Sequence, residues 1–313
     1  MIKVVFFGTP KIATRSLEYL FNSKEIDIVA VVTQEDKPCG RGHKLSAPPV
    51  KQTAERLGIK VFQPKSIRKE PEIIQSLKDL EPDFFVTFAF GQILSQEVLD
   101  IPKYSTINLH ASLLPKYRGA NPIQRCIYNG DKETGITTML TVLELDAGDI
   151  CLCDKIEITP EMNDVELAQI ISEKSPQLIE KTLCGLVSKE ITPKKQDNSN
   201  VTFANKFAKA DGLIDFSKTA TEISNKIRAM YSWPNAYTFY KNKMIKIMEA
   251  QAVPYEGCEN NGEVISITKE GIEICANKEK LIITQVKPEG KGIMEAYAWS
   301  NGSGIKKGER LGS

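Results

Sequence analysis

The stretch Ile2-Lys-Val-Val-Phe-Phe-Gly-Thr-Pro10 decides the fold class of this chain. Its apolar run has the length of a buried β-strand and stops at a Gly-Thr-Pro turn. An amphipathic stretch follows, in which Leu17, Leu20 and Phe21 are spaced for one face of a helix. The order strand, turn and helix predicts the first unit of an α/β domain.

The same alternation continues through the first half of the chain. Further strands are predicted over Ile28–Val32, Phe84–Phe90, Thr106–Leu109 and Gly135–Leu143, and a helix is predicted over Val50–Leu57. This pattern is typical of a doubly wound, mostly parallel sheet. Ligands bind such sheets beyond the carboxyl ends of the strands, so Gly8, Gly91 and the residues from Asn108 onward are candidates for a site.

The second half of the chain has a different pattern. A helix is predicted over Glu166–Lys189, and Pro176 is expected to disturb its regularity. The polar stretch after it resembles a linker, and a helix over Ala220–Met230 precedes short strand-like runs that are typical of a small β-barrel. The predicted division is a catalytic domain at 1–189, a linker at 190–209 and a β-barrel domain at 210–313, with predicted strands Tyr237–Tyr240, Met244–Ala252, Gly262–Ile267, Ile272–Ala276 and Lys280–Val286.

Composition fits a globular protein of two ordinary domains. The chain has 313 residues, of which 41% are hydrophobic and 26% charged. No apolar run approaches the roughly 20 residues that a membrane-spanning helix needs. The first residues are predicted to form a strand rather than a signal peptide, so a cytoplasmic location is expected.

The distribution of charge leaves two interpretations open. The net charge is only +1, yet Gln34–Lys69 holds nine Lys/Arg against three Asp/Glu, and the region from Lys189 onward holds 19 against 15. Two basic regions on a nearly neutral chain are suited to bind the phosphates of a polyanion. They are equally compatible with the solvated faces of ordinary helices.

Metal ligation is not expected. Cys151 and Cys153 form a C-x-C pair, but alternate residues of a strand share a face, and small thiols on such a face usually pack in a core. His43 and His110 are the only imidazoles, which leaves a zinc site short of its common ligands.

Three short stretches carry residues suited to chemistry. Asn108-Leu-His110 ends a predicted strand, so an amide donor and an imidazole lie on one side of it; the alternative is a core histidine with its hydrogen bonds satisfied. Ala111–Gly119 could line a pocket or form a surface loop. Glu144–Asp149 is rich in acids beside glycine, as many turns are. None of the three stretches decides a function alone.

Together, these stretches resemble the folate-dependent formyltransferase family, through Asn108-Leu-His-Ala-Ser-Leu-Leu-Pro-Lys-Tyr-Arg-Gly119 and Leu145-Asp-Ala-Gly-Asp149. The resemblance implies a Rossmann-like catalytic domain with Asn108, His110 and Asp146 at its site. It also implies 10-formyltetrahydrofolate as the formyl donor. The residues that it places around the folate are Phe88, Phe90, Gly91, Ile93, Ser112, Leu113, Leu114 and Pro115.

Other stretches resemble the members of this family that formylate methionyl initiator tRNA. They are Phe6–Pro10, Ala47–Val50 and the basic loop Asp36–Leu45. The resemblance implies that Lys37, Arg41 and Lys44 contact tRNA and that the C-terminal domain is an OB-like, tRNA-binding barrel. We expect a monomer, and we assign no role to Cys39 or His43.

Three rival functions remain at this stage. A formyltransferase acting on an amino sugar or another small amine would keep the Asn–His–Asp site unchanged. A dinucleotide-dependent oxidoreductase is disfavoured, because Gly8-Thr-Pro10 lacks the G-x-G-x-x-G pattern. A plain tRNA-binding module would leave the three site residues without a purpose.

Overall fold

The computed structural model describes residues 1–39, 44–255, 257 and 260–312. The chain folds into two compact units. The first comprises Met1–Gly119, Thr134–Glu157 and Ala168–Ala204; the second comprises Ala120–Glu133, Ile158–Leu167 and Asn205–Ser313. The predicted linker at 190–209 is therefore shared between the units, and its first 15 residues, 190–204, belong to the first one. The predicted boundaries themselves stay a prediction.

The first half of the chain alternates strands and helices, as the sequence pattern predicts. The elements in chain order are β1 (Ile2–Gly8), α1 (Thr14–Phe21), β2 (Ile26–Val32), β3 (Lys37–Cys39), β4 (Lys44–Ser46), α2 (Pro49–Arg56), β5 (Val61–Phe62), α3 (Pro71–Asp79), β6 (Phe84–Phe88), α4 (Gln96–Leu99), β7 (Ser105–His110), β8 (Arg118–Gly119), α5 (Pro122–Tyr128), β9 (Glu133–Leu140) and β10 (Ile150–Glu157).

The second half begins with a long helix and continues mainly as strands. Its elements are α6 (Asp164–Val187), β11 (Phe203–Ala204), α7 (Ala220–Ala229), β12 (Ala236–Tyr240), β13 (Lys243–Val253), β14 (Val264–Thr268), β15 (Gly271–Ala276), β16 (Glu279–Pro288), β17 (Met294–Glu295) and α8 (Ala296–Ser303). Helix α6 does not end at Pro176 but runs through it. None of the helices in the described part is both long enough and apolar enough to cross a membrane.

The first unit is built on a mostly parallel sheet with the strand order β10-β9-β7-β6-β1-β2-β5. Strand β1 pairs in parallel with β2 on one side and with β6 on the other, and β7 extends the parallel part. Strand β9 then runs antiparallel to β7. The chain thus builds outward from β1 in both directions, and this doubly wound order opens a crevice at the carboxyl ends of β1 and β6. The predicted α/β fold is confirmed.

The strands of the sheet are covered on both faces. Val4 and Phe6 point to one side of β1 and Val5 and Phe7 to the other, and all four are fully buried. One face contributes Val5, Phe7 and Phe85 to a cluster with Leu77 of α3. Continuous apolar strands of this kind are expected where helices cover both faces of a parallel sheet.

The second unit holds an antiparallel sheet with the order β12-β13-β16-β15-β14, and β17 pairs with β16. Its core contains Ile223 and Ile227 of α7 together with inward-facing strand residues such as Ile247, Ile274 and Ile283. The predicted strands are all present, with ends shifted by one or two residues. An antiparallel sheet of this order is compatible with the predicted OB-like barrel.

Two strands of the first unit end earlier than the sequence predicts. The predicted strand Phe84–Phe90 ends at Phe88 because Ala89 takes a left-handed conformation, with φ of 52°. The predicted strand Gly135–Leu143 ends at Leu140, and Val142 and Leu143 are exposed in the following loop. Strand β9 runs antiparallel to β7, so Leu140 lies toward the opposite edge. The early end of β6 releases the chain beside Gly8, at the ligand edge of the sheet.

Candidate active site

The three residues predicted to do chemistry meet at this edge of the first unit. Asn108 and His110 are on β7 and, two residues apart, lie on the same side of the strand. Asp146 comes from the loop after β9, and its Oδ2 atom lies 3.6 Å from Nδ1 of His110. His110 is 6% exposed, so the pair is largely shielded from solvent.

The hydrogen bonds of His110 fix the orientation of its ring. Nε2 lies 2.8 Å from the main-chain oxygen of Tyr117. A carbonyl oxygen only accepts, so Nε2 carries a hydrogen and donates it. Nδ1 is therefore the nitrogen that can gain or lose a proton, and it faces Asp146.

Asp146 is held by main-chain geometry. Its Oδ2 atom accepts a hydrogen bond of 2.8 Å from the main-chain nitrogen of Gly119. The residue has a φ of 51°, in the left-handed region that non-glycine residues rarely adopt. Such conformations persist only where the surroundings impose them, and they concentrate at functional sites.

The amide of Asn108 has a defined orientation. Thr87, on the neighbouring strand β6, donates its hydroxyl hydrogen to Oδ1 of Asn108 over 2.8 Å. This bond identifies the amide oxygen and places the Nδ2 group on the other side of the amide. No hydrogen bond from that nitrogen is made within the described part of the chain, which leaves it available as a donor to a bound molecule.

Four of the residues predicted to bind folate, Phe88, Phe90, Gly91 and Ile93, lie at the end of β6 and in the loop after it. Phe88 and Phe90 are buried, whereas Ile93 is 67% exposed. The carbonyl oxygen of Phe90 accepts hydrogen bonds of 2.9 Å from Thr9 and from Gln34. Gly91 has a φ of 81°, and a Cβ atom there would lie 2.4 Å from Nε2 of Gln34. Thr9 and Gln34 therefore hold the main chain of this loop, and the two phenylalanine rings pack in the interior.

The predicted folate residues from Ser112 to Pro115 form a tight turn beside His110. Thr137 on β9 stabilises the turn through two hydrogen bonds. Its hydroxyl donates to the main-chain oxygen of Ser112 over 2.7 Å and accepts from the main-chain nitrogen of Leu114 at 3.2 Å. The Ser112 hydroxyl donates to the Lys116 carbonyl. The Leu114–Pro115 peptide bond is cis. The Leu113 side chain packs over Gly135, where a Cβ atom would lie 2.5 Å from it.

Two of the three predicted tRNA-contacting residues, Lys37 and Lys44, lie on the paired strands β3 and β4, which we call the hairpin. Strands β3 and β4 pair antiparallel, with Lys37 opposite Ser46. Lys37 is exposed and donates to the side chain of Gln34. Lys44 is placed by its main chain in β4. Arg41, like His43, lies outside the described residues.

A network at the base of the hairpin holds it to the first unit. Asp36 accepts hydrogen bonds from Nε2 of Gln63 at 2.7 Å and from Nζ of Lys51 at 3.0 Å. The bond from Gln63 and the charge and hydrogen bond of Lys51 lower the pKa of Asp36 below its usual value. The carboxylate is thus kept ionised beside the basic loop.

Of the two cysteines of the C-x-C pair, Cys151 is poorly suited to metal binding or redox chemistry, and Cys153 is exposed rather than packed in a core. Burial, reinforced by Asp149, raises the pKa of Cys151 to about 11, so the thiol is protonated at neutral pH. Across the described ranges, His, Cys, Asp and Glu side chains form no group of three that could hold a metal ion. The expectation of a metal-free reaction stays a prediction.

Sequence models of known families match both halves of the chain. The model described as formyl transferase matches residues 2–183, and that of the formyl transferase C-terminal domain matches residues 206–304. The chain belongs to the formyl transferase family. The residues matched by the first model include Asn108, His110 and Asp146.

Curated relatives of this formyl transferase cover nearly the whole chain. A methionyl-tRNA formyltransferase from Clostridium novyi is 42% identical over 305 residues, which cover 97% of this chain and 98% of the relative. A methionyl-tRNA formyltransferase from Citrifermentans bemidjiense is 42% identical over 311 residues, which cover 99% of this chain and 96% of the relative. Full-length similarity at this level includes both units.

Solved structures share the fold at low sequence identity. An N-formyltransferase from Helicobacter canadensis, in complex with folinic acid and dTDP-3-aminofucose, gives a TM-score of 0.66 at 22% identity and covers 90% of this formyl transferase and 99% of that chain. A methionyl-tRNA formyltransferase from Clostridium thermocellum gives a TM-score of 0.55 at 14% identity. The match covers 94% of this chain and 100% of that chain. At such identities, these likenesses establish the fold alone.

Proposed function

We propose that this formyl transferase moves a formyl group from 10-formyltetrahydrofolate to the α-amine of methionyl initiator tRNA, for translation initiation. The observation that carries the proposal is the convergence of Asn108, His110 and Asp146 at the ligand edge of the sheet, with Nδ1 of His110 3.6 Å from Asp146. The full-length relatives named as methionyl-tRNA formyltransferases support the choice of acceptor.

The reaction sets the enzyme two tasks. An α-amine has a pKa near ~8, so a useful fraction is neutral at pH 7 and is already nucleophilic. The protein must align that amine with the formyl carbon and stabilise the oxyanion that forms on attack. Hydrogen-bond donors can polarise the formyl carbonyl, so no step of the proposal uses a metal ion.

Asn108 and His110 are the proposed oxyanion donors. Thr87 fixes the amide of Asn108, so its Nδ2 group can donate. Nε2 of His110 is committed to Tyr117, which leaves the Nδ1 hydrogen of the protonated ring for the substrate oxygen. One such donor is commonly worth ~3 kcal/mol of transition-state stabilisation.

Asp146 has two proposed roles. Its carboxylate faces Nδ1 of His110 and stabilises the protonated ring. The separation of 3.6 Å exceeds a direct hydrogen bond and leaves the carboxylate accessible to the amine, either directly or through water. Asp146 can therefore take the proton that the amine loses as the new C–N bond forms. Collapse of the tetrahedral intermediate then breaks the bond from the formyl carbon to N10, and this proton is delivered to N10 of the departing tetrahydrofolate. Acid–base assistance of this kind contributes roughly 10²–10⁴ in rate.

The crevice between the two predicted folate walls suits a flat ring. Phe90 and Gly91 present main chain on one side, and the turn from Ser112 to Pro115 lies on the other. Ile93 offers an exposed apolar side chain beside this main chain. We propose that the pterin ring of the donor binds here, with Phe88, Leu113 and Leu114 shaping the walls from beneath.

The hairpin β3–β4 and the second unit are the proposed tRNA contacts. Lys37, Arg41 and Lys44 supply cations on or near a Gly-containing loop, which can meet phosphates or base edges. The region from Lys189 onward, which includes the C-terminal sheet proposed as an OB-like barrel, has 19 Lys/Arg against 15 Asp/Glu. We further propose that the chain acts as a monomer in the cytoplasm, where initiator tRNA is charged.

The deciding experiment offers the enzyme different amines. Purified protein is given 10-formyltetrahydrofolate with a labelled formyl group and, separately, methionyl initiator tRNA, methionyl elongator tRNA and a dTDP-amino sugar. We expect transfer of label to the initiator tRNA. Transfer to the amino sugar alone would move the protein to the sugar-formylating class, which shares its fold. No transfer to any amine would refute a formyl transferase activity.

A further inference from the structure

The polar segment Lys194–Ala204, predicted from the sequence as linker, is fastened to the first unit at both ends. Lys194 and Ile150 exchange two main-chain hydrogen bonds of 2.8 Å. Phe203 and Ala204 form β11, which pairs in parallel with β8. Within the first unit, the segment therefore has a fixed path; we call it the brace segment.

Gln196 connects the brace segment to the turn that carries Asp146. Its Nε2 group donates to the main-chain oxygens of Asp146 and Gly148, both at 2.8 Å. Its Oε1 atom accepts from Nε and Nη2 of Arg118, at 3.1 and 2.8 Å. Both hydrogens and the oxygen of the amide are thus engaged, which fixes the side chain and the turn that it holds.

Arg118 gives this connection its rigidity. The residue is 3% exposed, and a buried guanidinium must have its donors satisfied. Besides Gln196, its partners are Oδ1 of Asn198 at 3.1 Å and Oε1 of Glu144 at 3.4 Å. Two of the three acceptors come from the brace segment, so Arg118 ties that segment to the catalytic strands.

Thr202 reaches the other partner of the catalytic histidine. Its hydroxyl oxygen accepts a hydrogen bond of 2.8 Å from the main-chain nitrogen of Tyr117. Tyr117 has a φ of 62°, and its carbonyl accepts the Nε2 hydrogen of His110. Gly119 lets β11 approach this loop, because a Cβ atom there would lie 3.0 Å from the Ala204 carbonyl oxygen.

The segment thus holds the main chain on both sides of the His110 ring. Gln196 supports the Asp146 turn that faces Nδ1, and Thr202 supports the Tyr117 carbonyl that binds Nε2. Asp146 and Tyr117 both have positive φ values, so neither conformation is favoured by the chain alone. External hydrogen bonds are the expected means of holding them.

We propose that Gln196 and Thr202, two side chains of the brace segment, act as positioning residues for the His110–Asp146 pair. The inference rests on the proposed function. It states that these two side chains control the rate of formyl transfer and leave the binding of both substrates unchanged, because neither reaches the crevice or the hairpin. A misplacement of catalytic groups by about 1 Å can cost ~10²-fold in rate.

The test compares Gln196→Met and Gln196→Glu with the wild type. Methionine keeps the length of the side chain and removes all four hydrogen bonds. Glutamate keeps the acceptor for Arg118 but loses the donors to Asp146 and Gly148. We expect both variants to lower kcat by about 10- to 100-fold, with KM for the folate and the tRNA within about twofold of wild type.

Three further variants separate an effect on the position of the catalytic groups from an effect on stability. Asp197→Ala removes three neighbouring hydrogen bonds, from Ser199 and Asn200, that do not reach the site, so its kcat should stay at the wild-type level. Thr202→Val should lower kcat, and Thr202→Ser, which keeps the hydroxyl, should restore it. Thermal unfolding is recorded for each protein.

The outcomes distinguish the inference from the proposed function. An inactive wild type would refute the proposed function. If the wild type is active and kcat is unchanged in Gln196→Met and Thr202→Val, the proposed positioning role of these two side chains is refuted. It would also be refuted if Asp197→Ala lost as much turnover as Gln196→Met, since the effect would then be general to the segment.

Discussion

Thr87 donates its hydroxyl hydrogen to Oδ1 of Asn108 across the parallel strands β6 and β7, over 2.8 Å. This contact turns a freely rotating amide into a donor of known direction. Thr87 is 7% exposed, so water does not compete effectively for the bond. A side chain outside the three predicted catalytic residues thus decides what one of them can do.

The first prediction concerns this bond. Thr87→Val keeps the shape of the side chain and removes the donor, so Asn108 can rotate and present its oxygen to the oxyanion. The lost hydrogen bond is worth about 1 kcal/mol, or roughly fivefold in kcat. Thr87→Ser should retain most of the activity. Steady-state kinetics decide, and equal rates for Val and Ser would remove Thr87 from the site.

A second prediction addresses the three residues themselves. Asn108→Ala, His110→Ala and Asp146→Ala should each reduce kcat by about 10²-fold or more and leave tRNA affinity near wild type. Combined substitutions should cost less than the product of the single losses, because groups that act as one unit are not additive. Near-normal turnover in any single variant would end the proposed role of that residue.

Gly148 provides a third test, through the turn that holds Asp146. A Cβ atom at this position would lie 1.7 Å from the main-chain oxygen of Leu140, so Gly148→Ala must displace the turn. We expect turnover to fall about 10²-fold and the melting temperature to drop. Gly302→Ala is the control, since nothing lies within 4 Å of its Cβ position. Comparable kinetics in the two variants would contradict the assigned role of the turn.

The fourth prediction concerns the hairpin. Arg41→Ala should weaken formylation of initiator tRNA by ~1–3 kcal/mol if the guanidinium contacts a base edge. Lys37→Ala and Lys44→Ala should each lower the salt dependence of tRNA binding by about one unit of slope. Kinetics at several salt concentrations test this, with folate affinity as the control. Wild-type behaviour of all three toward tRNA would favour a small-amine acceptor.

The fifth prediction uses the pH dependence of stability. The pKa of Asp36 is lowered in the folded protein, so its stabilising contribution is present above the unfolded pKa of about 3.9 and is lost as pH falls through the folded pKa. The difference in unfolding free energy between wild type and Asp36→Asn should therefore shrink as pH is lowered from 6 to 3. Denaturant titrations across that range measure it.

Asp164 supplies a comparison of opposite sign. Burial raises its pKa, against the hydrogen bonds from Ser232 and Gln124, so its contribution to stability is present below the unfolded pKa and is lost as pH rises through the folded pKa. Relative to Asp164→Asn, the unfolding free energy of the wild type should fall as pH rises from below the unfolded pKa of Asp164 to above its folded pKa. The same trend in both variants would contradict one of the two assignments.

Much of the fold was predictable because the decisive strands are apolar throughout. Val4–Phe7 and Phe84–Phe88 are buried on both faces, and such runs are visible in the sequence alone. Helix α8 was not predicted, because its sequence, Ala-Tyr-Ala-Trp-Ser-Asn-Gly-Ser, has a short apolar face of Ala296 and Trp299 and includes a glycine. It packs on the C-terminal sheet through tertiary contacts that no local pattern shows.

The residues of the candidate site also fall into two groups, those that the sequence predicts and those that only the fold shows. Asn108 and His110 were predicted to share a side because strand alternation is a local rule. Thr87, Gln196 and Thr202 were missed, since their partners lie 21, 50 and 85 residues away in sequence. Gln196 and Thr202 also lie in a stretch whose polar composition is typical of a linker between domains. A polar residue engaged by distant main chain cannot be told from a solvated one without the fold.

Helix α5 also has consequences for how the protein is made. Cys126 and Ile127 of α5 are fully buried, and the helix packs against α7 in the second unit. The last residue of α7, Ala229, is 101 residues beyond Tyr128, the last of α5. At a translation rate of roughly 5–20 residues per second, α5 leaves the ribosome about 5–20 s before its partner does. During that interval its apolar side lacks the cover that α7 provides, so we expect chaperones to bind the nascent chain shortly after β7 has been synthesised.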